Sequence, residues 1–200
     1  MNYFQSIPNH FPDIEEGGWI PTDHFLTACN TFITFTDLLG PVLSRAKDSV
    51  TVNINILRKR YDRDNTKYMY LHELILDEDS EPDPAIYISL IWLKRAIEFI
   101  YIFLKQLTTS THTSLPQDAY HAYQISLKPY HGFIIRSLVY MLINIAPSKD
   151  NLINTLVQGS LGGREQLFLD INEYIKPMAT NLRAVDKLLD DNQLVDNTVV

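Results

Sequence analysis

The 200-residue chain has one cysteine, Cys29. A disulfide framework and a cysteine-rich zinc module are therefore excluded, and a reducing compartment fits. Positive charge is also scarce: 17 Lys and Arg stand against 24 Asp and Glu, a formal net charge of −7. That balance argues against nucleic acid as the main partner, because phosphate-backbone binding needs a basic surface. Long apolar runs are missing too. The longest charge-free segments, such as Phe25–Thr36 and Ser137–Pro147, fall short of the roughly 18–20 residues of a membrane span. Met1–Glu16 is polar and Pro-bearing, unlike a signal peptide. With 46% apolar and 20% charged residues, the chain reads as folded, soluble and cytosolic. Its length suits a single domain over 1–200, with 1–20 as an N-terminal extension.

Period-two alternation and internal repeats are absent as well. Six of the seven glycines sit at breaks: Gly17-Gly18, Gly40, Gly159 and Gly162-Gly163. Between them apolar residues recur at three and four, the helical period. The spacing predicts a helix from Thr22, as cap, through Leu39, with Phe25, Leu26, Cys29, Phe32, Ile33 and Phe35 inward. Others follow over 41–61 (Val42, Val50, Ile54 and Leu57 inward) and about 66–76. Asp83-Pro84 is a strong start signal, a capping carboxylate before proline at the first helical position. The helix it opens, to about Leu107, gathers Lys94, Arg95, Glu98 and Lys105 within roughly 100° of arc and is otherwise apolar, so it is the central, mostly buried one. Further helices are expected at 117–127, 130–145, 149–157 and 164–189, the last with a possible kink at Pro177. The fold class is all-α, with about eight helices.

Catalytic and metal signatures are missing. The six histidines show no His-x-x-x-His or HExxH spacing, and the acidic run Asp77–Asp83 lacks the central Gly and closing Glu of a calcium loop. Gly159–Gly163 has no Lys-Ser/Thr for phosphate, and no G-x-S-x-G elbow exists. The reading is a non-enzyme with no metal and no cofactor. Two features stand out within the helical pattern. The helices around 85–107 and 130–146 are apolar on nearly all sides, yet Trp92 adjoins Lys94-Arg95, and Tyr130-His131-Gly132-Phe133 opens the second. Spacing alone favours Trp92 as core and His131 as a satisfied helix-start histidine over a binding role.

At these residues the chain resembles the glycolipid transfer protein family. Leu90-Ile91-Trp92-Leu93-Lys94-Arg95-Ala96 through Phe99, then Phe103-Leu104, matches the family's central helix. Ala122-Tyr123, then Leu127-Lys128-Pro129-Tyr130-His131-Gly132-Phe133, matches its A-Y…L-x-x-Y-H-G-W segment, and Ile145-Ala146-Pro147 the helix end that follows. Asp37-Leu38-Leu39-Gly40, Pro41-Val42 and Asn53-Ile54 match the region of the second helix. The likeness is collinear over about 22–150 and weakens toward the C-terminus.

The resemblance implies a two-layer, all-helical sandwich enclosing an apolar lipid pocket, with a headgroup site at its mouth. Trp92 falls where the family stacks the first sugar of a glycosphingolipid, His131 where it bonds the ceramide amide carbonyl, and Asn53 where an amide binds sugar hydroxyls. Chain contacts fall on Ile56, Ile88, Phe103, Phe133 and Val200. The family's Asp and Lys on the second helix fall on Ser49 and Ile56, and its terminal Tyr on Thr198. Asp48 is adjacent but turned about 100° away. Arg60, at i+7 from Asn53, has two readings: a reach back toward the absent Lys, or, favoured, a solvated or membrane-facing side chain.

The implied function is non-enzymatic binding and intermembrane transfer of sphingolipids, glycosylceramides first, by a monomer that meets membranes transiently. The replaced Asp and Lys keep two alternatives open. One is another lipid (ceramide-1-phosphate, a different sphingolipid or a fatty acid), and the other is a sensor or adaptor that reports lipid occupancy. Carriage has an energetic rationale, since desorbing a chain of about sixteen carbons unaided costs on the order of 13 kcal/mol. Phe133, Tyr130 and Trp19, with some of Arg58, Lys59 and Arg60, are candidates for interfacial docking.

Overall fold

The computed structural model describes residues 1–15, 17–38, 44–77, 81–110 and 114–200, without the side chains at 32, 36–37 and 44–46. Gly40, Pro41, Val42, His112 and the Glu78-Asp79-Ser80 part of the acidic run lie outside the described residues. Nine α-helices are described: α1 Tyr3–Ser6, α2 Thr22–Leu38, α3 Ser44–Tyr61, α4 Leu71–Ile75, α5 Pro84–Thr109, α6 Leu115–Ser126, α7 Phe133–Asn144, α8 Lys149–Val157 and α9 Gly163–Asp191. A 3-10 turn, Lys128–Tyr130, precedes α7. The described residues hold no strand, only an isolated bridge between Pro21 and Tyr70.

The helices form a two-layer sandwich threaded by α5. One side of α5 packs on α3, with α2 beyond it, and other sides on α6 and α9. The Asp83-Pro84 start holds: the Asp83 carboxylate accepts from the Ala85 N–H at 2.9 Å, with proline in the first turn. Eleven α5 residues are buried, from Ile86 to Leu107, as its all-round apolar surface requires. Arg95 is among them, although the pattern had grouped it with the solvated charges. In the interior Phe103 stacks on Phe99 at 6.3 Å and tilts against Phe35 at 6.4 Å.

Two expectations change. Thr22 does not cap α2: its buried hydroxyl has no described partner, and its N–H instead donates to the Met69 carbonyl at 2.9 Å. The predicted 66–76 helix shrinks to α4, because Asp64–Tyr70 runs as turns anchored by the Pro21–Tyr70 bridge. Residues 1–20, expected as an N-terminal extension, pack onto the core. Phe4, Ile7, Phe11 and Ile20 are buried in the core, α1 packs on α9, and the Asn181 amide on α9 donates to the Pro12 carbonyl at 2.7 Å. Pro177 lies inside a continuous α9, where the same Asn181 amide donates to its carbonyl at 2.8 Å.

Candidate functional site

The site is assembled where α5, the end of α6 and the start of α7 meet. Trp92 and Arg95 sit three residues apart on α5 and so share a face. The turn Lys128–Tyr130 delivers Tyr130 and His131 opposite them. The His131 ring stacks on the Trp92 indole with centroids 6.0 Å apart and planes 13° apart, and Tyr130 meets the indole edge-on at 6.4 Å. Arg95 lies over both rings, 4.7 Å from the Trp92 centroid and 3.3 Å from that of Tyr130.

His131 has a defined chemical state. Burial, then the charges of Arg136 and Arg95, hold its pKa below the ordinary imidazole value. Burial pushes the Tyr123 phenol up, so its proton stays on. Tyr123 Oη and His131 Nδ1 are 3.1 Å apart. A neutral imidazole beside a protonated phenol allows either the phenol to donate to Nδ1 or an Nδ1–H to donate to the phenol oxygen. With the phenol donating, the ring proton is on Nε2, which pairs with no described residue. In that tautomer His131 offers an N–H donor suited to a carbonyl acceptor.

The C-terminal segment closes the far side. Arg95 donates to the Asp196 main-chain carbonyl and lies 3.8 Å from its carboxylate. Burial raises the Asp196 carboxyl, but hydrogen bonds from Thr198, the Arg95 charge and the Trp92 indole outweigh it and leave it below the usual carboxylate range. The Val200 N–H donates to the Tyr130 carbonyl at 3.0 Å, and Gly132 N–H donates back to Val200 at 2.5 Å. A Cβ at residue 132 would stand 3.2 Å from the Val200 carbonyl oxygen, so a larger residue there requires that oxygen to give by a few tenths of an ångström.

The other sequence-expected residues are spread out. On α3, exposure falls along one face, from exposed Ser49 through half-buried Asn53 and Ile56 to buried Arg60. The Asn53 amide has no described hydrogen-bond partner, Asp48 is exposed, and Ile56 packs against the core. Both readings of Arg60 are corrected. It neither reaches back toward the absent Lys nor faces solvent, but pairs with Asp77 at 3.0 Å over the Tyr68 ring. Asp77 also accepts from the Tyr68 hydroxyl at 2.8 Å and pairs with Lys67 at 2.6 Å, and Arg60 lies 3.8 Å from Asp83 as well. Ile88 is half-buried one turn before Trp92, and Phe103 is deep in the core. Phe133 stands 84% exposed on α7, so as placed it lines no enclosed pocket, and the Val200 side chain is exposed beside Gly132.

The docking candidates also diverge. Trp19 stacks on His72 at 4.9 Å, Tyr130 is tied into the Trp92 group, and Arg58 is paired with Asp23 at 2.5 Å. Among the described residues no three His, Cys, Asp or Glu side chains gather as metal ligands, and no helix is long and apolar enough to cross a membrane. Sequence reasoning missed Asp196 altogether. It lies a hundred residues from Arg95 and no spacing rule joins them.

The arrangement is an all-α sandwich with a tryptophan–histidine pair set against its central helix. The sequence profile of the glycolipid transfer protein family matches residues 20–158. The chain belongs to that family. Among relatives, the zebrafish (Danio rerio) pleckstrin homology domain-containing family A member 8 is 27% identical over 99% of this chain, which spans only 38% of that protein. Xenopus laevis glycolipid transfer protein A is 26% identical over 90% of this chain and 91% of its own length. A FAPP2 structure, described as showing how that protein selects simple glycosphingolipids using the GLTP-fold, superposes with a TM-score of 0.89. It covers all of both chains at 24% identity.

Proposed function

We propose that this protein binds a sphingolipid and carries it between membranes without covalent chemistry, acting from the cytosol as a peripheral, monomeric carrier. The preferred cargo is a glycosylceramide. Trp92 is the platform for the first sugar, His131 the donor to the ceramide amide carbonyl, and Asn53 the contact for sugar hydroxyls. The observation that carries this reading is the Trp92–His131 stack, with Tyr123 Oη 3.1 Å from Nδ1 bracing the imidazole and leaving Nε2 unpaired. A sugar's C–H face stacks on an indole, and a buried amide left unpaired costs about 1–3 kcal/mol.

A phosphate headgroup is disfavoured by the state of Arg95, the cation that lies over Trp92. Arg95 is buried between two rings and already engaged by Asp196. The loss of the family's Asp and Lys at Ser49 and Ile56 is not made good by Arg60, so headgroup selection rests on Trp92 and Asn53.

Native mass spectrometry after incubation with mixed vesicles tests the proposal. The vesicles carry glucosylceramide, galactosylceramide, ceramide-1-phosphate, sphingomyelin and a fatty acid. Selective capture of a glycosylceramide, weakened about fivefold by Trp92→Ala through loss of a stack worth about 1 kcal/mol, is the expected result. Capture of ceramide-1-phosphate instead, or of no lipid, overturns it.

A further inference from the structure

Beside the Trp92 platform, a groove of about 260 Å³ runs between α5, the end of α9 and the C-terminal segment. Two cations line it, Lys94 and Arg95, against four acids, Glu98, Asp186, Asp190 and Asp196. Lys94 is fully engaged by its own neighbours, with Nζ 2.7 Å from Asp186 and 3.2 Å from Glu98.

Arg95 is engaged differently. It is buried, and Nη2 donates to the Asp196 main-chain carbonyl, yet Nη1 makes no hydrogen bond to any described residue. The Asp196 carboxylate stands 3.8 Å from Nη1, close enough to offset its charge and too far to bond it. A buried guanidinium N–H without an acceptor suits an oxyanion. The guanidinium lies 4.7 Å from the Trp92 centroid, so a phosphate brought to the indole competes with this carboxylate for it. The carboxylate is itself held in place. The Thr198 N–H donates to it at 2.9 Å, and the Trp92 indole bonds it as well. Together with Arg95 these contacts keep it ionised at neutral pH.

We propose that Asp196 is a specificity-determining residue that excludes anionic sphingolipid headgroups from the mouth of the site. Its carboxylate screens Arg95 and sets a negative charge beside Trp92, so a neutral sugar is accepted and a phosphate is repelled. Trp92 and Asn53 recognise the sugar, and Asp196 rejects its charged competitor. The inference deepens the cargo reading and rests on Trp92 being the headgroup platform.

Native mass spectrometry of the full chain, with vesicles carrying equal amounts of glucosylceramide and ceramide-1-phosphate, tests it. The parent is expected to take glucosylceramide. Asp196→Asn keeps the shape and an accepting oxygen but drops the charge. It is expected to shift the captured ratio toward ceramide-1-phosphate about tenfold, the worth of one charge-assisted hydrogen bond. Asp196→Glu, which keeps the charge, retains most of the parent ratio. Asp190→Asn, which neutralises an exposed acid of the same groove, leaves it unchanged. An equal shift in Asp190→Asn overturns the proposal, because it means diffuse repulsion. A matching loss of both lipids in Asp196→Asn also overturns it, because that is the result of a purely structural brace. If Asp196→Asn melts well below the parent, Asp196→Ser, which keeps an oxygen for the Thr198 N–H, serves in its place with the same expected shift. A parent that captures ceramide-1-phosphate as readily as glucosylceramide, or neither lipid, sinks the cargo reading and this one with it. A parent that prefers glucosylceramide, with that preference intact in Asp196→Asn, sinks this inference alone.

Discussion

α5 and α7 look alike in sequence and end up in opposite environments. Both are apolar almost all round. α5 buries eleven residues between α3, α6 and α9, whereas α7 buries only Ile143 and leaves Phe133 84% and Ile134 74% exposed. An apolar helix in a protein of this size has two fates. Where neighbours surround it, burial stabilises the fold by about 1.5–3 kcal/mol per large side chain. Where neighbours cover only one side, the same residues form an exposed patch, and such patches mark surfaces that meet something else. Composition does not distinguish the two. What decides is how many helices reach each one: α7 packs mainly on α6 and is followed at once by the Pro147 break.

Substitution should separate the two helices sharply. Leu93→Ala on α5 removes a fully buried side chain and leaves a cavity, so a loss of about 2–5 kcal/mol is expected, read from the urea midpoint at constant slope. Phe133→Ala on α7 should move the same midpoint by less than about 0.5 kcal/mol. Its effect should appear instead as weaker vesicle binding, by up to about 1.5–3 kcal/mol if the ring inserts fully. A comparable stability loss from both variants would mean that α7 is core after all.

The fold was legible where local rules suffice. The α8 bounds match the expected 149–157; in the structure Ser148 caps the helix through the Asn151 N–H and Gln158 ends it in a left-handed conformation. The Asp83-Pro84 start and the central placement of α5 followed in the same way. Elements fixed by distant contacts were not legible. Burial of Phe4 and Phe11 depends on α9 and on the Asn181–Pro12 bond, and nothing near the N-terminus announces it. The site divides along the same line. Trp92 and His131 were singled out from motif blocks whose residues are neighbours in sequence, whereas Tyr123 stands in one of those blocks but its contact with His131 was not anticipated. Asp196 and the pairing of Arg60 with Asp77 depend on chain segments brought together only by folding. Helical periodicity placed Ser49, Asn53, Ile56 and Arg60 on one face, and the face is real. Periodicity carries no information on which acid competes for the arginine at its end.

The smallest expected effect lies at the seam between the two helices. His131 stacks on α5 through Trp92, bonds α6 through Tyr123, and adjoins Gly132, which opens α7. Its native pKa is held below the ordinary value of about 6.5. Above that value both the folded and unfolded chains carry neutral imidazole, and His131 adds no pH dependence. As the pH falls through about 6.5 toward the native pKa, the unfolded chain takes up a proton first and stability declines. His72, lowered by burial against Trp19, contributes in the same sense. Urea midpoints measured from neutral to mildly acidic pH should therefore fall, and His131→Gln should flatten part of that slope and leave the His72 share. Protonation also makes Nδ1 a donor only, so the bond to Tyr123 then runs from Nδ1–H to the phenol oxygen and the geometry that braces the Trp92 stack must readjust. Trp92 emission, isolated in a Trp19→Phe background, should report that change over the same pH range. If the midpoint slope flattens in His131→Gln while Trp92 emission stays constant with pH in the parent, the imidazole stabilises the fold without setting the platform. α5 and α7 would then meet at a hinge with no part in orienting the indole.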